Sequence, residues 1–272
     1  PPPPPPPPPP PHPFPTRRSS DLEVNPKIAF KLFDAFVGSL LSYCCPVWGF
    51  TKCKAIERVQ LKFFKSLLGV KVTTSTVAVY GELGRLPLYI NRYVSIIKYW
   101  LKLTCKENIL LKTLYEAAVD DSNNGCRNWV YNVKNILNEH GMFYAWNNPY
   151  NLCHKQFIAM FKQRVTDGFL QTWNADLRRS EMLDTLYNHI KTNFEMESYL
   201  YKITSREIRV ALSKLRLSSH MLRIESGRYG RDRVERSERK CVYCDMNDVE
   251  DEYHFVLKCT FYNDLRLKYI HK

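Results

Sequence analysis

The sequence predicts a mainly α fold, an irregular multi-helix assembly ending in a small metal-stapled module. Three observations carry that prediction. Apolar residues recur at three- and four-residue intervals through most of the chain, which places them on one face of a helix. Alternating apolar and polar runs are scarce, so any strands are short and lie near the C-terminus. Finally, Cys241, Cys244, His254 and Cys259 cluster near the end with ligand-like spacing.

Residues 1–22 join no core. Eleven consecutive prolines are followed by His12-Pro13-Phe14-Pro15 and then Thr-Arg-Arg-Ser-Ser-Asp-Leu at 16–22. That heptapeptide is what ACA-CGA-CGC-TCT-TCC-GAT-CT would encode, a string resembling sequencing-adapter DNA, and the segment is read as an assembly artefact. The alternative is a polyproline linker or partner motif.

From Asn25 the helical punctuation is regular. Asn25-Pro26 reads as an N-cap followed by proline at the first helical position, and Ile28, Leu32, Phe33, Phe36, Val37 and Leu40 make an apolar stripe. A second helix is predicted from Lys54 to Leu68 on Ile56, Val59, Phe63 and Leu67, with Gly69 as its stop. After a loop with Gly81, Gly84 and Pro87, the residues Ile90, Tyr93, Val94, Ile97 and Leu101 predict a third helix, with Arg92, Lys98 and Lys102 on its other face. Asp120 to Gly125 is a polar break. Trp129, Val130, Val133, Ile136 and Leu137 form the next stripe, closed by Gly141, and Phe157, Phe161 and Val165 predict a longer helix beyond Pro149.

The chain carries 40 Lys and Arg against 27 Asp and Glu, a net charge of +13 that favours polyanionic partners. The excess is concentrated in residues 201–240, with twelve basic and five acidic residues. There, Thr204 and Glu207 have capping-box spacing, and Ile208, Ala211, Leu212 and Leu215 form the apolar face of the following helix. Lys202, Arg206, Arg209 and Arg216 make a basic ridge on another face. Arg223 follows, and Arg228, Arg231, Arg233, Arg236, Arg239 and Lys240 then crowd together around Tyr229, which suits phosphate contact and base stacking. An ordinary solvated face is the competing reading. Ile28 to Phe50 is the most apolar stretch, but Lys31, Asp34, Pro46 and Gly49 interrupt it, so no membrane span is expected.

The nine cysteines have no secretory signal beside them, which suggests a reducing, intracellular compartment, nuclear or cytoplasmic. Six are scattered and read as buried apolar filler. The rest follow C-x2-C-x9-H-x4-C. Thiolates and imidazole suit zinc better than magnesium or calcium, and four protein ligands leave no open position for catalysis. The segment therefore reads as a CCHC zinc knuckle, with Phe255 and Leu257 as local core and one of Glu250, Asp251 and Glu252 placed to orient the imidazole. A redox pair at Cys241/Cys244 is the alternative.

Arg216-Leu-Ser-Ser-His220, Ile224-Glu-Ser-Gly-Arg-Tyr229, Glu238-Arg-Lys-Cys241 and Glu250-Asp-Glu-Tyr-His-Phe255 together resemble the C-terminal part of LINE-type (non-LTR) retrotransposon reverse transcriptases. Upstream, Glu57-Arg58, Phe63 to Gly69, Tyr80-Gly-Glu-Leu-Gly-Arg85, Pro87-Leu88 and Tyr99-Trp100 look like the region after the polymerase palm. The resemblance spans residue 23 to the end. It implies a thumb-like helical region at 23–120, a helical linker at 121–200, a basic helical segment at 201–240, and a zinc knuckle with a terminal helix at 241–272. It also implies RNA or DNA, and the remainder of the retrotransposon polyprotein, as partners. The family's polymerase needs paired aspartates after an aromatic-x pair. Asp120-Asp121 follows Ala118-Val119 instead and reads as a surface turn, so no catalysis and no small-molecule substrate are expected. The rival reading is a zinc-stapled protein-interaction or scaffold module without nucleic-acid binding.

Overall fold

The computed structural model describes residues 25–105, 108–180, 183, 186–229 and 233–270. The protein is mainly helical, with isolated bridges and no strand among the described residues. No helix there is long and apolar enough to cross a membrane. The N-terminal segment 1–22 and Arg231 lie outside the described residues.

Helix α1 (Pro26–Leu32) starts as predicted, with the Asn25 side chain accepting from the Lys27 amide, and runs on through a π-helical stretch, Phe33–Gly38. Only one flank of its predicted stripe is covered. Phe30 and Phe33 are buried against Phe63 and Phe64, whereas Ile28, Leu32, Phe36 and Leu40 face solvent. Helix α2 (Lys54–Leu68) ends at Gly69, whose φ of 65° is a left-handed conformation. Its buried line is Gln60, Phe64 and Leu68, one position away from the predicted Ile56, Val59, Phe63 and Leu67. The shift is possible because polar Gln60 is satisfied inside. It accepts from the Tyr80 hydroxyl at 3.2 Å and donates to the Leu86 carbonyl at 3.3 Å.

Helices α3 (Thr76–Leu83) and α4 (Leu88–Thr104) follow. The predicted apolar face of α4 is buried throughout. Arg92, expected on its outer face, is also fully buried and pairs with Glu57 at 3.1 Å. The same carboxylate accepts from the Leu88 and Tyr89 amides, both at 2.9 Å. Glu57 on α2 thus supplies the cap that Pro87 cannot give α4, and a negative charge at a helix N-terminus opposes the positive end of the helix dipole.

Helices α5 (Ile109–Asn123), α6 (Trp129–Glu139) and α7 (His154–Arg179) complete the upper body. Asp120 and Asp121 sit exposed on the last turn of α5, and among the described residues neither belongs to a group of side chains that could hold a metal ion. The long α7 belongs to two cores at once. Its N-terminal half places Phe157, Phe161 and Val165 against α4 and α6, and its C-terminal half places Trp173 and Leu177 against α2 and α3. Phe169 touches both clusters. The two cores together draw on residues from Phe30 to Leu217 and cross the predicted boundaries at 120 and 200.

Helices α8 (Arg206–Arg216) and α9 (Asn263–Tyr269) flank the C-terminal module. The N-cap of α8 is Ser205, whose hydroxyl faces the Ile208 amide, rather than the predicted Thr204. Arg209 and Ser213 are the buried residues of this helix and half-buried Leu212 packs on the second core, whereas Ile208 and Ala211, expected on the same apolar face, are exposed. Ser213 bonds the Tyr199 hydroxyl at 2.7 Å, and Arg209 donates to the carbonyls of Ile203 and Thr204 at 2.8 and 2.6 Å.

At the centre, fully buried Glu82 receives both Nε and Nη2 of Arg216, at 2.6 and 3.2 Å. Arg216 also reaches Glu197 at 3.0 Å, and Lys191 reaches Glu197 at 2.6 Å. The loop carrying Glu195–Glu197 lies so close to α3 that a Cβ on Gly84 would stand 2.4 Å from the Met196 nitrogen, and Gly84 has φ of 58°. Removing one partner of a buried pair leaves an uncompensated charge, at a cost of about 3–5 kcal/mol. Glu82→Ala is therefore expected to lower the urea midpoint by an amount equivalent to that loss, and Gly84→Ala to destabilise as well. A loss below about 1 kcal/mol for Glu82→Ala in chemical denaturation would show that the pair is not central.

Candidate metal centre and basic surface

Four side chains converge at the C-terminus. The ligating atoms of Cys241, Cys244, His254 and Cys259 all lie within 4.8 Å of one another. Cys241 Sγ and Cys259 Sγ are 3.9 Å apart, and Cys244 Sγ and His254 Nε2 are 3.4 Å apart. A tetrahedral ion with metal–sulfur bonds of about 2.3 Å and metal–nitrogen bonds of about 2.0 Å needs edges of roughly 3.5–3.8 Å. Those two edges are already close to that geometry, so the donor set and its spacing fit a metal ion.

Local backbone structure brings the ligands together. Cys241 donates its amide to the Asp248 carbonyl at 2.9 Å and Glu250 donates to the Arg239 carbonyl at 2.9 Å, around an isolated bridge between Lys240 and Val249. Between these arms the chain turns through Asn247 at φ 57°, a conformation asparagine tolerates better than most residues. His254 and Cys259 stand at the two ends of a π-helical turn, His254–Lys258, and the Cys259 amide closes on the His254 carbonyl at 2.7 Å. That five-residue closure is the π-helical pattern. The x4 spacing therefore puts both ligands on the same side.

Burial pushes the Cys241 thiol up to about 11, while a backbone hydrogen bond from Met246 holds the Cys244 thiol below its ordinary range. His254 is buried, and its Nδ1 has no hydrogen-bond partner among the described residues; the nearest carboxylate is Asp248, 3.9 Å away. The three acidic residues expected to orient the imidazole do other work. Asp251 accepts from the His254 backbone amide at 2.7 Å. Glu250 accepts from the Arg223 amide at 3.0 Å. Buried Glu252 accepts from the Ser218 hydroxyl at 3.0 Å and bonds the His220 ring at 2.9 Å. Burial alone would raise the Glu252 carboxyl, but these contacts hold it below its usual range. Of the predicted local core, Phe255 packs on the Tyr262 ring and Leu257 is exposed.

The arginines divide into distinct groups. Arg239 is buried, donating to the Val234 and Ile224 carbonyls, both at 2.9 Å, and its aliphatic stem lies close against Gly227. Arg209 and Arg216 are held by α8's own surroundings, as described above. All three spend guanidinium N–H groups on partners inside the chain, and Arg209 and Arg239 are buried. Arg228 is half-buried and pairs with Glu225 at 2.9 Å; burial raises that carboxyl, and the guanidinium opposes the rise. Arg206 and Arg223 are half-buried, and Arg233 and Arg236 are exposed.

Two features lacked a sequence signal. Buried Arg266 on α9 donates to the Cys259 carbonyl and ties the terminal helix to the ligand loop. Tyr243 and Phe261, both more than half exposed, pack 5.5 Å apart at the surface of the module. No protein-family profile, curated protein or solved structure matches the chain.

The geometry predicts one equivalent of bound metal. Cobalt(II) titration should give the absorption of a tetrahedral thiolate site, lost in His254→Ala and Cys259→Ser. Octahedral absorption, or a stoichiometry unchanged by both substitutions, would refute the four-residue site.

Proposed function

We propose that this chain is a non-catalytic, nucleic-acid-binding part of a LINE-type reverse transcriptase. On this reading it holds template RNA or target DNA for a polymerase palm carried elsewhere in the polyprotein, and it works inside the cell, in the nucleus or cytoplasm. The observation that carries the reading is the four-ligand cluster with its basic approach. Cys241 directly follows the segment that exposes Arg233 and Arg236, and Tyr243 and Phe261 stand out from the module itself.

Zinc is the ion of choice for this donor set, because three thiolates and an imidazole form a closed tetrahedral site. Bound there, it would staple a segment with few apolar residues. Arg233 and Arg236 offer planar forks to phosphate, and Tyr243, Phe261 and Tyr229 offer ring faces on which bases can stack. The outward stripe of Ile28, Leu32, Phe36 and Leu40 on the first helical segment supplies an apolar surface on which an upstream palm would pack.

Fluorescence anisotropy with a structured RNA and a DNA duplex, read across salt concentrations, tests the proposal. Binding should weaken on chelation of the metal. Substituting Arg233 and Arg236 by Ala should flatten the log–log salt slope by about 0.7 per lost contact on single strands, or about 0.9 on duplex. Weak binding with an unchanged slope and no metal dependence would instead favour the scaffold reading.

A further inference from the structure

Between α8 and the metal module lies an open cleft of about 1420 Å³. It exceeds the roughly 300–1,000 Å³ of small-molecule sites. One wall is the face of α8 expected to be core: Ile208, Ala211, Leu212 and Leu215, at helical spacing. Ile208 is 57% exposed, and Ala211 is exposed as well. Val242, Tyr243 and Phe255 of the module also line the cleft, as do Met221 and Leu222.

Cations outnumber carboxylates in the lining of this trough. Lys71, Lys214 and Arg223 line it, and no carboxylate pairs with any of their side chains among the described residues. The carboxylate in the lining, Glu250, is buried and accepts from the Arg223 backbone amide.

We infer that this cleft is a docking groove for an amphipathic peptide helix with acidic flanks, supplied by a partner protein. The aliphatic ridge spaced i, i+3, i+4, i+7 accepts the knobs of a second helix. Lys71 already donates to the His220 carbonyl at 2.9 Å, which leaves Lys214 and Arg223 to complement glutamates beside the partner's apolar stripe. The ridge of α8 is aliphatic and offers a base no ring to stack on, which favours a second helix over single-stranded nucleic acid as its occupant. Tyr243 is shared with the nucleic-acid reading, but the proposal turns on Ile208, Ala211 and Lys214 rather than on Arg233 and Arg236.

The test uses the full metal-loaded chain and three labelled probes: a synthetic helical peptide with leucines on one face and glutamates on its flanks, the same peptide with lysines for the glutamates, and a single-stranded RNA. The acidic peptide should bind with at least about a tenfold advantage over the lysine version. Ala211→Glu on the exposed wall should weaken it by about tenfold or more, and Lys214→Glu severalfold; circular dichroism and thermal melting should show both variants folded. Arg233→Ala with Arg236→Ala should leave peptide binding unchanged. Equal or absent binding of the two peptides overturns the proposal, as does RNA that displaces the acidic peptide and loses affinity in Ala211→Glu. Either result leaves the separate role of Arg233 and Arg236 to its own salt titration.

Discussion

The buried pair of Glu82 and Arg216 is the constraint on which the rest of the molecule depends. A carboxylate with no solvent exposure at the end of α3 is tolerable only if a cation reaches it, and the cation comes from the last residue of α8, 134 positions away. Fulfilling that requirement fixes where α8 lies. Arg216 also draws in Glu197, and Glu197 draws in Lys191, so the loop after α7 is tied to the same point. Immediately after Arg216 the chain enters the Ser218–His220 turn that meets Glu252 of the metal module. One buried charge therefore orients the basic helix and, through it, the segment carrying the ligands. Its main contribution is specificity of arrangement, since a buried pair is weak evidence for net stability.

The short strings at 216–220, 224–229, 238–241 and 250–255 acquire a physical meaning from this arrangement. Ser218 and His220 bond Glu252; Ser219 accepts from the Lys71 amide at 2.9 Å; the Ile224 amide reaches the Glu250 carbonyl at 3.1 Å; and Arg239 locks onto Ile224 and Val234. Most of these residues are stitches between the helical body and the module. A basic, motif-rich stretch can look like a binding surface while much of its charge is internal.

What could be read from the sequence follows the same division. Asn25, Gly69 and Gly141 mark helix ends through local chemistry, and the face of α4 follows from its period, so these were legible without tertiary knowledge. The convergence of Cys241, Cys244, His254 and Cys259 was legible because their spacing is itself geometry. Expectation and structure part where a partner inside the fold satisfies a polar side chain and so changes which face a helix buries. Gln60 enters the core because Tyr80 and Leu86 satisfy it, Arg92 because Glu57 does, and Arg209 because two nearby carbonyls do. With Arg209 and Ser213 buried and Leu212 packed on the core, Ile208 and Ala211 are left exposed toward the cleft. Arg266 offered no cue at all, since a carbonyl partner leaves no trace in composition.

Helix α7 sets the mechanical character of the body. Its 26 residues form a rod of about 39 Å, at roughly 1.5 Å per residue, whose two ends are embedded in different apolar clusters with Phe169 shared between them. Neither cluster can move against the other without bending that rod. A protease nick near its midpoint would strip both clusters of large buried side chains at once. The two cores should therefore melt together as one cooperative unit, and shortening the chain within this helix would yield no independently folded half.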